Sequence, residues 1–156
     1  MKITLDLADY EAAINASRDA FLDSRSKGFK PIGSQRVENA LSGGFLGYAA
    51  EIVFAKAFNL KWNPNIGTGV RKPDFEPNYE IKFSSDGLLH LYEKTLNTEW
   101  KYVLVTGKVE LREFEILGWI LGKDAKSDAF KNMCPRGGVP RYTIPVGALN
   151  KIPERK

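Results

Sequence analysis

The segment RKPDFEPNYEIKF, Arg71 to Phe83, sets an aspartate behind a proline and, from Tyr79 on, alternates between apolar and charged residues. Tyr79, Ile81 and Phe83 face one way from an extended strand, and Glu80 and Lys82 face the other. A turn at Glu76-Pro77-Asn78 brings the chain around Asp74 back alongside the Glu80 strand, as a hairpin. Taken alone, Asp74 reads as a turn former and Glu80 and Lys82 as a solvated strand face.

Upstream, FLGYAAEIVFAKAF, residues 45–58, carries only Glu51 and Lys56 as charges over nearly four helical turns. A helix apolar almost all round is a buried, central one. Glu51 therefore stands where an acid costs several kcal/mol unless it is paired or bound to metal. SQRVENAL reads as a separate short helix, ended by a break at Gly43-Gly44. Before it, KITLDL makes a short strand, and Asp9 to about Ser26 an amphipathic covering helix with Tyr10, Ala13, Ile14, Ala20 and Phe21 inward. The connection SRSKGFKPIGSQR holds Arg25, Lys27, Lys30 and Arg36 and no acid, which suits either a solvated loop or contact with backbone phosphates.

Downstream, SSDGLLHLYEKTLNTEW reads as helical from about Asp86, with Leu88, Leu91, Tyr92 and Leu96 as its inner face. KYVLVTGKVE reads as a strand buried on both sides and FEILGWILGKD as another, followed by a short helix in DAKSDAFKNM and a small strand or turn at Tyr142 to Ile144. This order gives an α/β fold with a mixed central sheet of at least four strands, flanked by helices. One domain spans 1–156: a helical cover and basic loop over 1–43, a core over 44–107, and an extra strand with the C-terminal segment over 108–156.

Composition narrows the chemistry. The chain has 156 residues, 43% of them hydrophobic, enough for one ordinary core, and a formal charge of +4 that suits a polyanionic partner. Its one cysteine, Cys134, excludes an internal disulfide, and no Cys/His cluster is spaced for zinc. A single histidine, His90, leaves little for a Ser-His-Asp triad, which directs attention to carboxylates. No apolar run resembles a signal peptide or a membrane span, so a soluble, cytoplasmic protein with no membrane partner is expected.

Glu51, Asp74, Glu80 and Lys82 together meet one chemical requirement. Phosphodiester hydrolysis needs stabilisation of an anionic transition state and an activated water, and Mg²⁺ supplies both. Magnesium takes oxygen ligands and keeps several waters, so two or three converging carboxylates suit it. Without the ion those acids repel, and at least one should have a raised pKa. A lysine on the strand face of Glu80 can orient or deprotonate water, or hold the scissile phosphate.

PDFEPNYEIK, Pro73 to Lys82, resembles the signature of the PD-(D/E)XK nuclease superfamily, and the Glu51 helix is similar to the acidic first core helix of many members. The resemblance covers Gly44 to Gly107. It implies a restriction-endonuclease-like αβββαβ core of the small phage and bacterial type. It also implies Asp74 and Glu80 as metal ligands, Glu51 as a further ligand or water-mediated contact, the backbone carbonyl of Ile81 completing the site, and Lys82 as the catalytic lysine. Mg²⁺ is the implied cofactor, with Mn²⁺ able to substitute. If the turn lies elsewhere, Glu76 takes the place of Asp74.

Arg71 and Lys72 lie beside this site and join the basic loop as expected nucleic-acid contacts. Ser84 and Ser85 read as helix caps, His90 as structural or solvated, and Trp62, Trp100 and Trp119 as core and sheet-edge aromatics. GTGVRK lacks phosphate-loop spacing. The expectation is a Mg²⁺-dependent endonuclease directed by DNA structure, with branched or single-stranded DNA among its substrates. A non-catalytic nucleic-acid-binding protein of the same fold and a metal-dependent RNase are the alternatives. A C₂ homodimer would supply two sites for two strands.

Overall fold

The structure is a computed structural model that describes residues 1–28, 35–67, 71–135 and 137–152, and the backbone alone over 35–43. Strand β1 (Lys2–Thr4) leads into helix α1 (Leu7–Ser26), whose start is fixed by a capping box between Asp6 and Asp9. Helix α2 (Gln35–Phe58) follows, then β2 (Tyr79–Phe83), β3 (Leu88–Tyr92), β4 (Lys101–Lys108) and β5 (Glu113–Leu121). A four-residue helix, α3 (Gly122–Ala125), precedes β6 (Lys131–Met133) and β7 (Pro140–Pro145).

The strands form two sheets. The first has the order β1-β5-β4-β2 and is mixed: β2 runs parallel to β4, while β5 is antiparallel to both β4 and β1. The second is antiparallel, in the order β3-β7-β6. The α/β class and the four-stranded mixed sheet expected from the sequence are therefore present.

Strand β4 lies between two cores. Val103 and Val105 pack with Ile81 and with Ala50, Val53 and Phe54 of α2, whereas Tyr102 and Leu104 pack with Leu89 and Leu91 of β3 and Tyr142 and Ile144 of β7. Period-2 geometry thus explains the apolar run Tyr102 to Val105. In β5 the pairing slips between Leu104↔Gly118 and Val105↔Ile116, leaving Leu117 as an extra residue. The bulge changes the parity of the strand, so Phe114 and Ile116 enter the helix-side core and Ile120 the opposite one.

Three stretches differ from the sequence reading. There is no break at Gly43-Gly44, because α2 is continuous from Gln35 to Phe58. A Cβ on Gly44 would stand 2.7 Å from Ser17 Oγ, so this glycine permits close approach of α1 to α2. The segment from Asp86 is strand β3 and not a helix, which also corrects the expected αβββαβ order: β2 is joined to its parallel neighbour β4 through a strand of the second sheet and a short 3₁₀ turn at Glu93–Thr95. Gly87, at φ +72°, lies in the bend immediately before the strand. Leu89 and Leu91 are buried and Tyr92 exposed, an alternation that a helical reading of Leu88, Leu91 and Tyr92 overlooked. DAKSDAFKNM likewise divides into the end of α3, a 3₁₀ turn and β6.

Candidate functional site

The turn at 76–78 lies where the sequence places it, closed by reciprocal backbone hydrogen bonds between Phe75 and Tyr79 at 3.0 and 2.8 Å. The strand expected around Asp74 is reduced to that single bridge, since Asp74 itself sits in a bend. The Asp74 side chain replaces the missing strand partner: its Oδ2 accepts the Ile81 N–H at 2.7 Å. That N–H points away from β4, and the Ile81 carbonyl shares its side of the strand.

Glu51 reaches the same place from α2. Its neighbours Ala50, Ile52 and Val53 are buried, and its Oε2 accepts the indole N–H of Trp62 at 2.8 Å. Trp62 stands edge-on to Tyr48, with ring centroids 6.2 Å apart. This is the partner that a glutamate on a buried helix needs, and a buried indole N–H needs an acceptor equally. The sequence reading places Trp62 only among the core and sheet-edge aromatics and does not single out Tyr48. The signal available was the general one that a partly buried tryptophan seeks an acceptor.

Glu51, Asp74, Ile81 and Lys82 line one cleft of about 400 Å³ with Leu46, Gly47 and Phe83. A second hollow, between α1 and α2, meets Glu51 and Asp74 beside Ser17, Phe21 and Tyr48. Burial, then the Asp74 charge, pushes the Glu51 carboxyl up to about 8. Burial, then Glu80, raises Asp74 to about 6 against the lowering effect of the Ile81 N–H. Burial raises the Tyr48 hydroxyl as well, reinforced by Glu51 and Asp74.

Glu80 is not among the residues lining that cleft, although its charge is the largest acting on Asp74 and also acts on Glu51. It is 7% exposed, its Oε1 accepts from Lys82 Nζ at 2.7 Å, and its Oε2 has no hydrogen-bond partner among the described residues. Among the described residues no group of three or more His, Cys, Asp or Glu side chains is arranged to hold a metal ion. What the cleft offers a hard cation is an all-oxygen set, the Glu51 and Asp74 carboxylates with the Ile81 carbonyl, and a mutual repulsion that positive charge would relieve. Magnesium, which uses one or two carboxylates and keeps its waters, fits that donor set.

The expected basic contacts divide. Arg25 is exposed in the last turn of α1. Lys27 is committed to Asp23 at 2.8 Å and to the Gly67 carbonyl at 3.2 Å, so it ties α1 to the 61–67 segment. Lys30 and the Arg36 side chain lie outside the described residues. Arg71 and Lys72 are exposed beside the cleft, with the Arg71 guanidinium 5.1 Å above the Trp100 ring. Glu76 is exposed in the turn and does not line the cleft. Ser84 donates to Asp86, and His90 bonds Asp86 Oδ2 at 2.9 Å and Thr143 Oγ1 at 3.2 Å.

Comparison with protein-family models, curated proteins and solved structures returns no match. No helix among the described residues is long and apolar enough to cross a membrane. The assignment of function rests on the site.

Proposed function

We propose that the protein is a metal-dependent nuclease that hydrolyses phosphodiester bonds in DNA, related to the PD-(D/E)XK nucleases. The observation that carries this reading is the pressing together of Glu51 and Asp74, both with raised pKa, in a cleft that also receives Lys82. Structural acids are normally paired with bases, and two that burial and neighbouring carboxylates raise together beside a lysine, Asp74 acting on Glu51 and Glu80 on Asp74, are a functional arrangement. The resemblance is carried by the Pro73–Lys82 motif and the Glu51 helix, while the strand β3 between β2 and β4 is this chain's own departure.

A divalent cation would be held by Glu51, Asp74 and the Ile81 carbonyl, and would supply Lewis acidity and charge neutralisation at the phosphate. The protein supplies the rest. Trp62 and the Ile81 N–H fix the two carboxylates in orientation. Lys82 spends one of its three N–H donors on Glu80 and keeps two for a phosphate oxygen or the attacking water. The buried Glu80 thereby positions the lysine rather than lining the cleft.

DNA is the proposed partner because exposed Arg25, Arg71 and Lys72 accompany the net positive charge. A second reading, a DNA-binding protein without turnover, is favoured by the ion pair that engages Lys82 with Glu80. Plasmid, linear, branched and single-stranded DNA, and RNA in parallel, incubated with Mg²⁺ or Mn²⁺ separate the two. The nuclease reading expects metal-dependent cleavage that Asp74→Ala and Lys82→Ala abolish. Binding without cleavage of any substrate, or variants that cut like the parent, would overturn it.

A further inference from the structure

We propose that the recess on the far side of Lys82, lined by Arg71, Lys82, His90, Thr95 and Tyr102, is a second phosphate site that takes a phosphate group of the nucleic-acid strand next to the one being cleaved. This rests on the nuclease reading. Lys82 is the one residue common to the recess and the carboxylate cleft, so a strand gripped in the recess leads directly to the reacting position.

Three side chains with hydrogen-bond donors line the recess, as an oxyanion would require. Arg71 is exposed and stacked on Trp100, and no carboxylate pairs with it among the described residues, so its planar fork of N–H groups is available. Lys82 retains two donors beyond its bond to Glu80. Tyr102 is 1% exposed, and its hydroxyl oxygen accepts the Asn97 N–H at 2.8 Å. Its own O–H has no acceptor among the described residues, which leaves a buried donor on the wall of the recess. Both ring nitrogens of His90 are engaged, by Asp86 and Thr143, so His90 is a wall of the recess and not a ligand.

Arg71, Lys82 and a buried phenol, with Glu80 already held by Lys82, favour a ligand with several acceptor oxygens. At about 170 Å³ the recess accommodates a phosphate group and not a base pair. The pocket exists because β3 replaces the expected helix: His90 comes from β3, and Thr95 from the 3₁₀ turn that follows it.

The sole histidine gives an unambiguous reporter. Inorganic phosphate is titrated into the full-length, metal-free protein while the His90 ring signals are followed by nuclear magnetic resonance, and a short single-stranded oligodeoxynucleotide is then added. The expected result is a saturable shift, displaced by the oligonucleotide and weakened about ten-fold or more by Arg71→Gln and by Tyr102→Phe. The site is overturned if folded protein shows no saturable shift, if Arg71→Gln binds phosphate like the parent, or if the oligonucleotide does not compete. Asp74→Asn separates the two claims: it should retain the phosphate shift while losing cleavage. A parent that binds phosphate competitively yet cuts nothing leaves this site standing and removes the nuclease reading.

Discussion

Glu51 and Asp74 hold their protons more tightly in the folded protein than their ordinary values of 4.5 and 3.8, at about 8 and about 6. Both pKa values are raised, so the folded state binds more protons than the unfolded one through this range, and stability falls as pH rises. Urea titration of the metal-free protein is expected to show a midpoint that declines from pH 4.5 to about 8. Glu51→Gln should flatten the upper part of that decline, and Mg²⁺ should offset it by binding the ionised pair. An unchanged midpoint across the range would mean that burial does not raise the two acids in the folded protein. Trp62→Phe removes the indole donor to Glu51 and is expected to cost about 1–3 kcal/mol by urea denaturation. Lys82→Ala should lower the single-turnover cleavage rate by about 10²–10⁴-fold with the far-UV spectrum unchanged.

At the level of elements, β3 is where sequence and structure part. Leu89→Ala and Leu91→Ala should each cost about 2–5 kcal/mol, because both side chains are buried in the second core. Tyr92→Ala should cost much less, since Tyr92 is exposed, whereas a helix with Leu88, Leu91 and Tyr92 inward would make it expensive. Urea denaturation of the three variants distinguishes these patterns. The β2 alternation, the 76–78 turn and the doubly buried β4 were legible because each is written in local periodicity or turn chemistry. The β3 segment was not, because LLHLY is short and apolar enough to fit either period, and what selects the strand is pairing with β7, more than forty residues away. The Gly43-Gly44 error has the same origin: glycine reads locally as a break, yet Gly44 serves helix contact with Ser17. Likewise, the motif and the Glu51 helix gave Glu51, Asp74, Glu80, Ile81 and Lys82 as neighbours, but only tertiary packing pairs Glu80 with Lys82 and sets Trp62 on Glu51.

Across the whole molecule, the helix pair, the mixed sheet and the second sheet form two cores that share β4 and β5, and the candidate site lies along the edge of β2 where α2 approaches it. An edge strand suits this role because its unpaired backbone groups can engage side chains, as Ile81 engages Asp74. DNA affinity measured without metal should fall with salt, at a slope of roughly 0.9 per phosphate neutralised on duplex. Arg71→Gln should reduce that slope by about one, whereas Asp74→Asn should not reduce it. The most direct test of the acidic cleft as a metal centre is a crystal of the protein soaked in Mn²⁺, with the ion located by its anomalous scattering. The account predicts a peak against the carboxylates of Glu51 and Asp74 and the carbonyl of Ile81, lost in Asp74→Asn. A cleft without a peak, or a peak held elsewhere and indifferent to Asp74→Asn, would contradict it.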